Sequence, residues 1–170
     1  MKYDRYASHL PVLIHTLRCL GTSVRSILEI GCGFYSTPIL AAFSLASGCE
    51  HVVIETEREW AESVSRVFGI TVDSFSTGCL PPHTHRKWDV VFIDSAVAAS
   101  RAGYALALRN QARVILLHDS NLNWDRDYHY KTLYPQWRFY VNFTETYPHT
   151  LLLTNDEQAW ESVGKTRETT

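Results

Sequence analysis

A chain of 170 residues with 45% hydrophobic and 20% charged residues and a net charge of −2 has the length of one domain and the composition of a soluble globular protein. That charge balance leaves no electrostatic footprint for nucleic acid. No apolar run spans a bilayer, and MKYDRYASHL lacks the apolar core of a secretory signal.

Residues 8–20 place apolar side chains at Leu10, Leu13, Ile14, Leu17 and Leu20, which predicts a helix stopped by Gly21. Tyr3, Asp4 and Tyr6 precede it and are candidates for a lid. The stretch Ser26 to Leu40, SILEIGCGFYSTPIL, reads as a buried strand (Ile27, Leu28, Ile30), a glycine turn (Gly31, Cys32, Gly33) and a helix start. Thr37 is expected to cap that helix, with Pro38 in its first turn. Glycine lets a backbone approach a ligand closely. Free N–H groups at a helix N-terminus favour an anion. Glu29 beside them opposes a phosphate and suits a ligand that carries both a carboxylate and an ammonium group.

The helix runs to Ser47 and ends at Gly48. His51 to Ile54 is a short β-branched run, read as a buried parallel strand that closes on Glu55. A helix from Thr56 to Phe68 follows, with Thr56 and Glu59 spaced as a capping box. Ile70 to Phe75 is a third strand. Residues 76–87, with Pro81-Pro82, are a loop. Trp88 to Asp94 is a fourth strand, Arg101 to Ala112 a helix, and Arg113 to His118 a fifth strand with Asp119 behind it. Residues 120–136 are polar and aromatic. Trp124, Tyr128, Tyr130 and Tyr134 there fit either a face packed on the sheet or a substrate wall. Two last strands, Arg138 to Phe143 and His149 to Leu153, have no helix between them. Residues 155–170 are polar and expected to form a frayed or weakly helical tail. The expectation is one α/β domain over residues 1–154 with an N-terminal helix at 8–20. Its sheet is doubly wound, seven-stranded and mostly parallel.

Ligands of such sheets lie beyond the carboxyl ends of the strands, so Gly31, Gly33, Glu55, Asp73 to Phe75, Asp94 and His118 to Ser120 are the residues to read. Cys19, Cys32, Cys49 and Cys79 are widely spaced, with no Cys-x-x-Cys. They read as reduced thiols, so a cytoplasmic location is expected.

The acidic-x-Gly-x-Gly run of Glu29, Gly31 and Gly33, with Glu55, the strand-end aspartates and the closing pair of strands, resembles the class I S-adenosylmethionine (SAM)-dependent methyltransferases over about residues 24–154. Tyr35 stands where that family has its third glycine. The resemblance implies a Rossmann-like sheet closed by an antiparallel hairpin, SAM as cofactor, and transfer of its methyl group. It puts Glu29, Gly31, Cys32, Gly33, Tyr35, Ser36 and Thr37 at the cofactor, Glu55 on its ribose and Ser74 and Phe75 near its adenine. Asp94, His118 and Asp119 would carry the catalysis, with Asp94 orienting the methionine ammonium and His118 or Asp119 acting as base. Asp94, Asp119 and Asn121 are also similar to the magnesium ligands of metal-dependent O-methyltransferases, although that pattern has Asp-Asn where this chain has Asp119-Ser120-Asn121. A Mg2+ site, a metal-free site and simple strand-end polarity all stay open.

Runs that mark methyltransferases of DNA bases are missing. Ser95-Ala96-Val97 follows Asp94 where a Pro-Pro-aromatic run would stand, and no cysteine follows a proline. The acceptor is therefore expected to be a small molecule or sugar methylated at oxygen or nitrogen, with no membrane and no nucleic acid involved. A second copy of the chain, as a homodimer, is expected to close the cleft. The alternatives are a catalytically silent SAM-fold scaffold subunit and a nicotinamide-binding enzyme.

Overall fold

A computed structural model describes residues 4–76, 79 and 81–165. Tyr3 and residues 166–170 of the expected tail lie outside them. Five segments form the parallel part of the sheet: β1 (Ser26–Ile30), β2 (Glu50–Glu55), β3 (Asp73–Ser74), β4 (Trp88–Ile93) and β5 (Ala112–His118), of which all but the exposed edge β3 carry an apolar core. β6 (Phe139–Phe143) and β7 (Thr150–Thr154) close it in the order β3-β2-β1-β4-β5-β7-β6. β7 runs antiparallel to both β5 and β6. The expected doubly wound sheet with a closing hairpin is the one found, and it is the class I methyltransferase architecture.

Side chains alternate between the two faces. Ile27, Phe92 and Leu116 meet α1 (Leu10–Leu20) and α2 (Ser36–Ser47) on one face. Leu28, Val91 and Ile115 meet α4 (Ala98–Leu108) and the aromatic segment through Tyr130 and Trp137 on the other. α3 (Arg58–Phe68) packs Val64 on Val53. The helix α1 forms because Val12, Leu13, Thr16, Leu17 and Leu20 make one buried stripe, Pro11 sits in the first turn, and Gly21 caps the end onto the Leu17 carbonyl.

Several boundaries differ from expectation, each for a local reason. The third strand shrinks from Ile70–Phe75 to two residues, because it is an edge with two rungs, Ile54 to Asp73 and Glu55 to Ser74. α3 starts at Arg58 rather than Thr56. The Glu55 carboxylate takes the amides of Thr56 and Glu57 at 2.6 and 3.0 Å, so no Thr56–Glu59 capping box forms. α4 begins at Ala98 and ends at Leu108, since Ala112 is already paired with Trp88 in the sheet. The polar tail takes the helical alternative and is more ordered than expected: residues 157–164 form a short helix (Glu157–Ala159) and a wide turn (Trp160–Gly164). Asp156 caps it by accepting from the Ala159 amide at 2.7 Å. Ala159, Trp160 and Val163 enter the core beside α1, with Trp160 stacked on Phe139 at 5.3 Å. Among the described residues no helix is long and apolar enough to cross a membrane.

Candidate active site

β1 is where the sheet changes direction of winding, with β2 on one side and β4 on the other. The glycine turn sits at that switch point. Gly31 has φ +92°, and a Cβ there would lie 2.4 Å from the backbone of Asp94 and Ser95. Only glycine lets the β1 turn and the end of β4 approach so closely.

The expected cradle is wired differently. The Cys32 amide donates to Glu55 Oε2 at 3.0 Å and the Gly33 amide to Thr37 Oγ1 at 2.9 Å. These two donors therefore do not stand free for an anion. Thr37 is not the helix cap: α2 starts at Ser36 with Tyr35 in the cap position. The Thr37 hydroxyl is held because it donates to Glu29 at 2.9 Å, alongside Ser36 at 2.6 Å. His51 Nε2 lies 3.1 Å from the other Glu29 oxygen. Glu29 is thus fully buried and shut away from any ligand. It fastens the first turn of α2 to β1 and β2. Glu55 sits at the end of β2 as expected, yet its carboxylate already accepts from Cys32, Thr56 and Glu57. Ser74 and Phe75 lie beside it, lining a shallow hollow with Thr56 and Glu57 that is separate from the cavities below.

Two cavities open at the carboxyl ends of β1, β4 and β5. The first, about 420 Å³, lies over Cys32, Gly33, Tyr35 and Ser36, with Trp60 as one wall. Trp60 is fixed by donating to the Cys32 carbonyl at 2.7 Å and by an edge-to-face contact with Phe34. The second, about 480 Å³, is lined by Arg5, Asp119, Asp127 and His118, with Trp124 and Tyr128 as aromatic walls. Asp94 and Tyr6 border both. Tyr6 comes from the segment ahead of α1, where a lid was expected.

Between the cavities lies a compact ion cluster. Arg101 on α4 donates to Asp94 Oδ1 and Asp119 Oδ2, each at 3.0 Å, and to the Ser95 carbonyl at 2.7 Å. Tyr128 donates to Asp119 at 3.1 Å. His118 Nδ1 is 3.1 Å from Asp94 Oδ2, and its Nε2 is 2.7 Å from Ser8 Oγ. Asp119 holds a left-handed backbone at φ +61°, a strained conformation that surrounding contacts must hold in place. Burial pushes the Asp94 carboxyl up, but Arg101 and His118 outweigh it and keep it below the usual carboxylate range. Burial likewise pushes His118 down, and Asp94 and Asp119 more than restore it, so the imidazole is raised above its ordinary value. Burial raises Tyr128 to about 12.

This arrangement does not support the magnesium reading. The two carboxylates meant for a cation share a guanidinium, which already neutralises them. Asn121 faces elsewhere: its Oδ1 accepts from the His149 amide at 3.0 Å. Nor does His118 offer a free nitrogen for a metal, since both are engaged.

One histidine, which reads in the sequence as a surface or half-buried residue without a chemical role, is placed otherwise by the structure. His9 is 2% exposed, its ring lies 4.9 Å from Phe92 and 4.7 Å edge-on to His118, and neither nitrogen has a hydrogen-bond partner. Leaving such a group unsatisfied costs about 1–3 kcal/mol. Burial first, then the neighbouring His118, lowers its pKa to about 4, so the ring is neutral. The signal was available: stepping back one turn along the stripe of Leu20, Leu17 and Leu13 lands on position 9. Arg101, which reads in the sequence as surface charge or a hold for an acidic substrate, is buried on the stripe of Tyr104, Ala105 and Leu108.

No protein-family model and no curated protein matches the sequence. Solved structures do match in fold. The O-methyltransferase TomG from Streptomyces achromogenes, in complex with SAM, superposes with a TM-score of 0.58 at 24% identity, over 85% of this chain and 79% of that one. The human methyltransferase 10 domain containing protein gives 0.61 at 12% identity, over 89% and 84%. An O-methyltransferase from Bacillus cereus, in complex with S-adenosylhomocysteine (SAH), gives 0.54 at 15% identity, over 91% and 84%. Sheet order, closing hairpin and these superpositions agree: the chain has the class I SAM-dependent methyltransferase fold.

Proposed function

We propose that the protein transfers the methyl group of SAM to an oxygen or nitrogen of a small-molecule or sugar acceptor. The observation that carries this reading is the pair of cavities that meet at Asp94. Methyl transfer needs two ligands held end to end, with the reacting atoms about 3–3.5 Å apart. The cavity over the glycine turn suits the methionine end of SAM, whose ammonium group would face the ionised Asp94. The second cavity suits the acceptor. Trp124 and Tyr128 offer apolar faces for a ring, while Asp119, Asp127 and Arg5 can bond hydroxyl groups. When bound, SAM supplies the electrophilic methyl group. The chain supplies approach, orientation and exclusion of water. His118 and Asp119, fixed by Ser8, Arg101 and Tyr128, position Asp94 and border the acceptor. The four cysteines carry free thiols, which suits a reducing, cytoplasmic setting.

Calorimetric titration with SAM, SAH and NAD, each with and without Mg2+, tests this. SAM and SAH are expected to bind at micromolar dissociation constants and NAD not at all. Mg2+ is expected to leave both curves unchanged, because Arg101 occupies its place. Absence of SAM and SAH binding would overturn the reading, and a magnesium-dependent gain in affinity would overturn the metal-free site.

A further inference from the structure

We infer that His9 takes the proton from an acceptor hydroxyl during methyl transfer, which makes the acceptor atom an oxygen; this rests on the function proposed above. The argument is one of availability. Asp94 is already bonded to Arg101 and His118, Asp119 to Arg101 and Tyr128, and His118 to Asp94 and Ser8. His9 is the imidazole of this cluster with both nitrogens bare, and it borders the cofactor cavity beside Asp94. His9 does not line the acceptor cavity itself, but Asp94 beside it borders both cavities, so an acceptor group that reaches past Asp94 meets the imidazole.

The spacing fits an oxygen. A ring nitrogen of His9, a carboxylate oxygen of Asp94 and a ring nitrogen of His118 all lie within 4.8 Å of one another. Two hydrogen bonds of about 2.8 Å that meet at one tetrahedral oxygen span roughly 4.6 Å, a reach that lies inside that upper limit. A hydroxyl seated between His9 and the Asp94–His118 pair can therefore donate to His9 while its lone pairs face the cofactor. A metal ion would need the same atoms, but Arg101 already compensates Asp94 and His118 has no nitrogen to give. A neutral imidazole is an acceptor for an O–H and would meet an ammonium acceptor only after that group had lost its proton elsewhere.

The step balances. A lone pair of the acceptor oxygen attacks the methyl carbon of SAM and forms the C–O bond. The C–S bond breaks and its electron pair stays on sulfur, leaving the neutral thioether of SAH. The hydroxyl proton passes to the bare nitrogen of His9, so the positive charge of the sulfonium ends as an imidazolium facing Asp94. Departure of the products returns that proton to water.

The test uses the full chain, tritiated SAM, and four probes: methyl α-glucopyranoside, glycerol and catechol as hydroxyl donors, and benzylamine as an amine. In H9Q and H9A the dissociation constant of SAM is expected to stay within about threefold of the parent. Transfer to a hydroxyl probe is expected to fall about 10²- to 10⁴-fold, in kcat rather than KM. Free imidazole should restore part of it in H9A, which a merely structural role would not allow. Unchanged transfer in H9Q, a parallel loss with no imidazole rescue, or transfer by the parent to benzylamine alone would each overturn the inference. So would a parent that binds SAM and methylates none of the hydroxyl probes. A parent that does not bind SAM strikes instead at the function proposed above.

Discussion

Replacing Arg101 with leucine is expected to cost about 3–5 kcal/mol of stability and to lower the melting temperature by ~10 °C or more. The guanidinium is 5% exposed and bridges Asp94, Asp119 and the Ser95 carbonyl. Leucine removes the shared cation and leaves two half-buried carboxylates facing each other. Asp94 would then feel burial without its main compensation, and its pKa would rise instead of staying depressed. The sign of the pH dependence follows. In the parent, a depressed carboxylate contributes stability above its unfolded pKa near 4, and that contribution is lost as pH falls through the lower folded value. In R101L the carboxylates are a liability at neutral pH and relax when protonated. The deficit of the variant should therefore be largest near pH 7 and shrink toward pH 4. Arg101→Lys should fall between, since an ammonium cannot fork onto both carboxylates. Urea melts at several pH values check this, and an R101L curve that overlays the parent at pH 7 would show that the bridge contributes nothing.

Gly31→Ala is the second large effect. Gly31 sits between two backbone hydrogen bonds: its own amide reaches the Ile54 carbonyl at 2.9 Å, and the Asp94 amide reaches the Ile30 carbonyl at 2.8 Å. A methyl group at 2.4 Å from the Asp94–Ser95 backbone can be relieved only by prising β4 from β1. Strain at positive φ adds about 1–3 kcal/mol. The expected loss exceeds ~4 kcal/mol, the range in which a single change is diagnostic of a structural clash. SAM binding should vanish with it, because the first cavity lies on this turn. Gly48 supplies the control. It also has positive φ, at +71°, but a Cβ there meets nothing within 4 Å, so Gly48→Ala should cost only ~1 kcal/mol. Equal thermal shifts for the two variants would refute the close-approach argument.

Much of this fold is legible in the sequence because its strands are apolar runs with nothing else to do. Ile27 to Ile30, Val90 to Ile93 and Val114 to Leu117 are buried on both faces, and such runs read as central strands in any context. Strand ends are legible for the same reason, which is why Asp94, His118 and Asp119 do converge. What surrounds them is not. Arg101 reaches the site from α4 and His9 from the turn ahead of α1, and which helix or turn meets which strand end is settled by packing rather than by spacing. The magnesium reading finds no support at this point: two carboxylates at adjacent strand ends demand a cation, and α4 supplies one in Arg101. Glu29 and Glu55 show a related gap. Their positions were correct, but buried carboxylates collect the nearest donors, here Ser36, Thr37, His51 and the amides of the next turn. The C-terminal segment is more ordered than it reads, because Asn155 to Gln158 are polar, while Ala159, Trp160 and Val163 behind them form the stripe that packs on α1.

The Ser8–His118 contact joins residues 110 positions apart, and Thr146 donates to the Ser8 carbonyl across 138. None of the strand pairings depends on either bond. The turn that carries Tyr6, Ser8 and His9 lies outside the sheet ladder, so its attachment rests on these bonds and on the burial of Ser8 and His9, and amide exchange in it reports a local opening separate from that of the sheet. Proteolytic trimming ahead of Leu10 would remove Tyr6, the shared wall of both chambers, together with the buried Ser8 and His9. Control over that short segment would then amount to an off-switch.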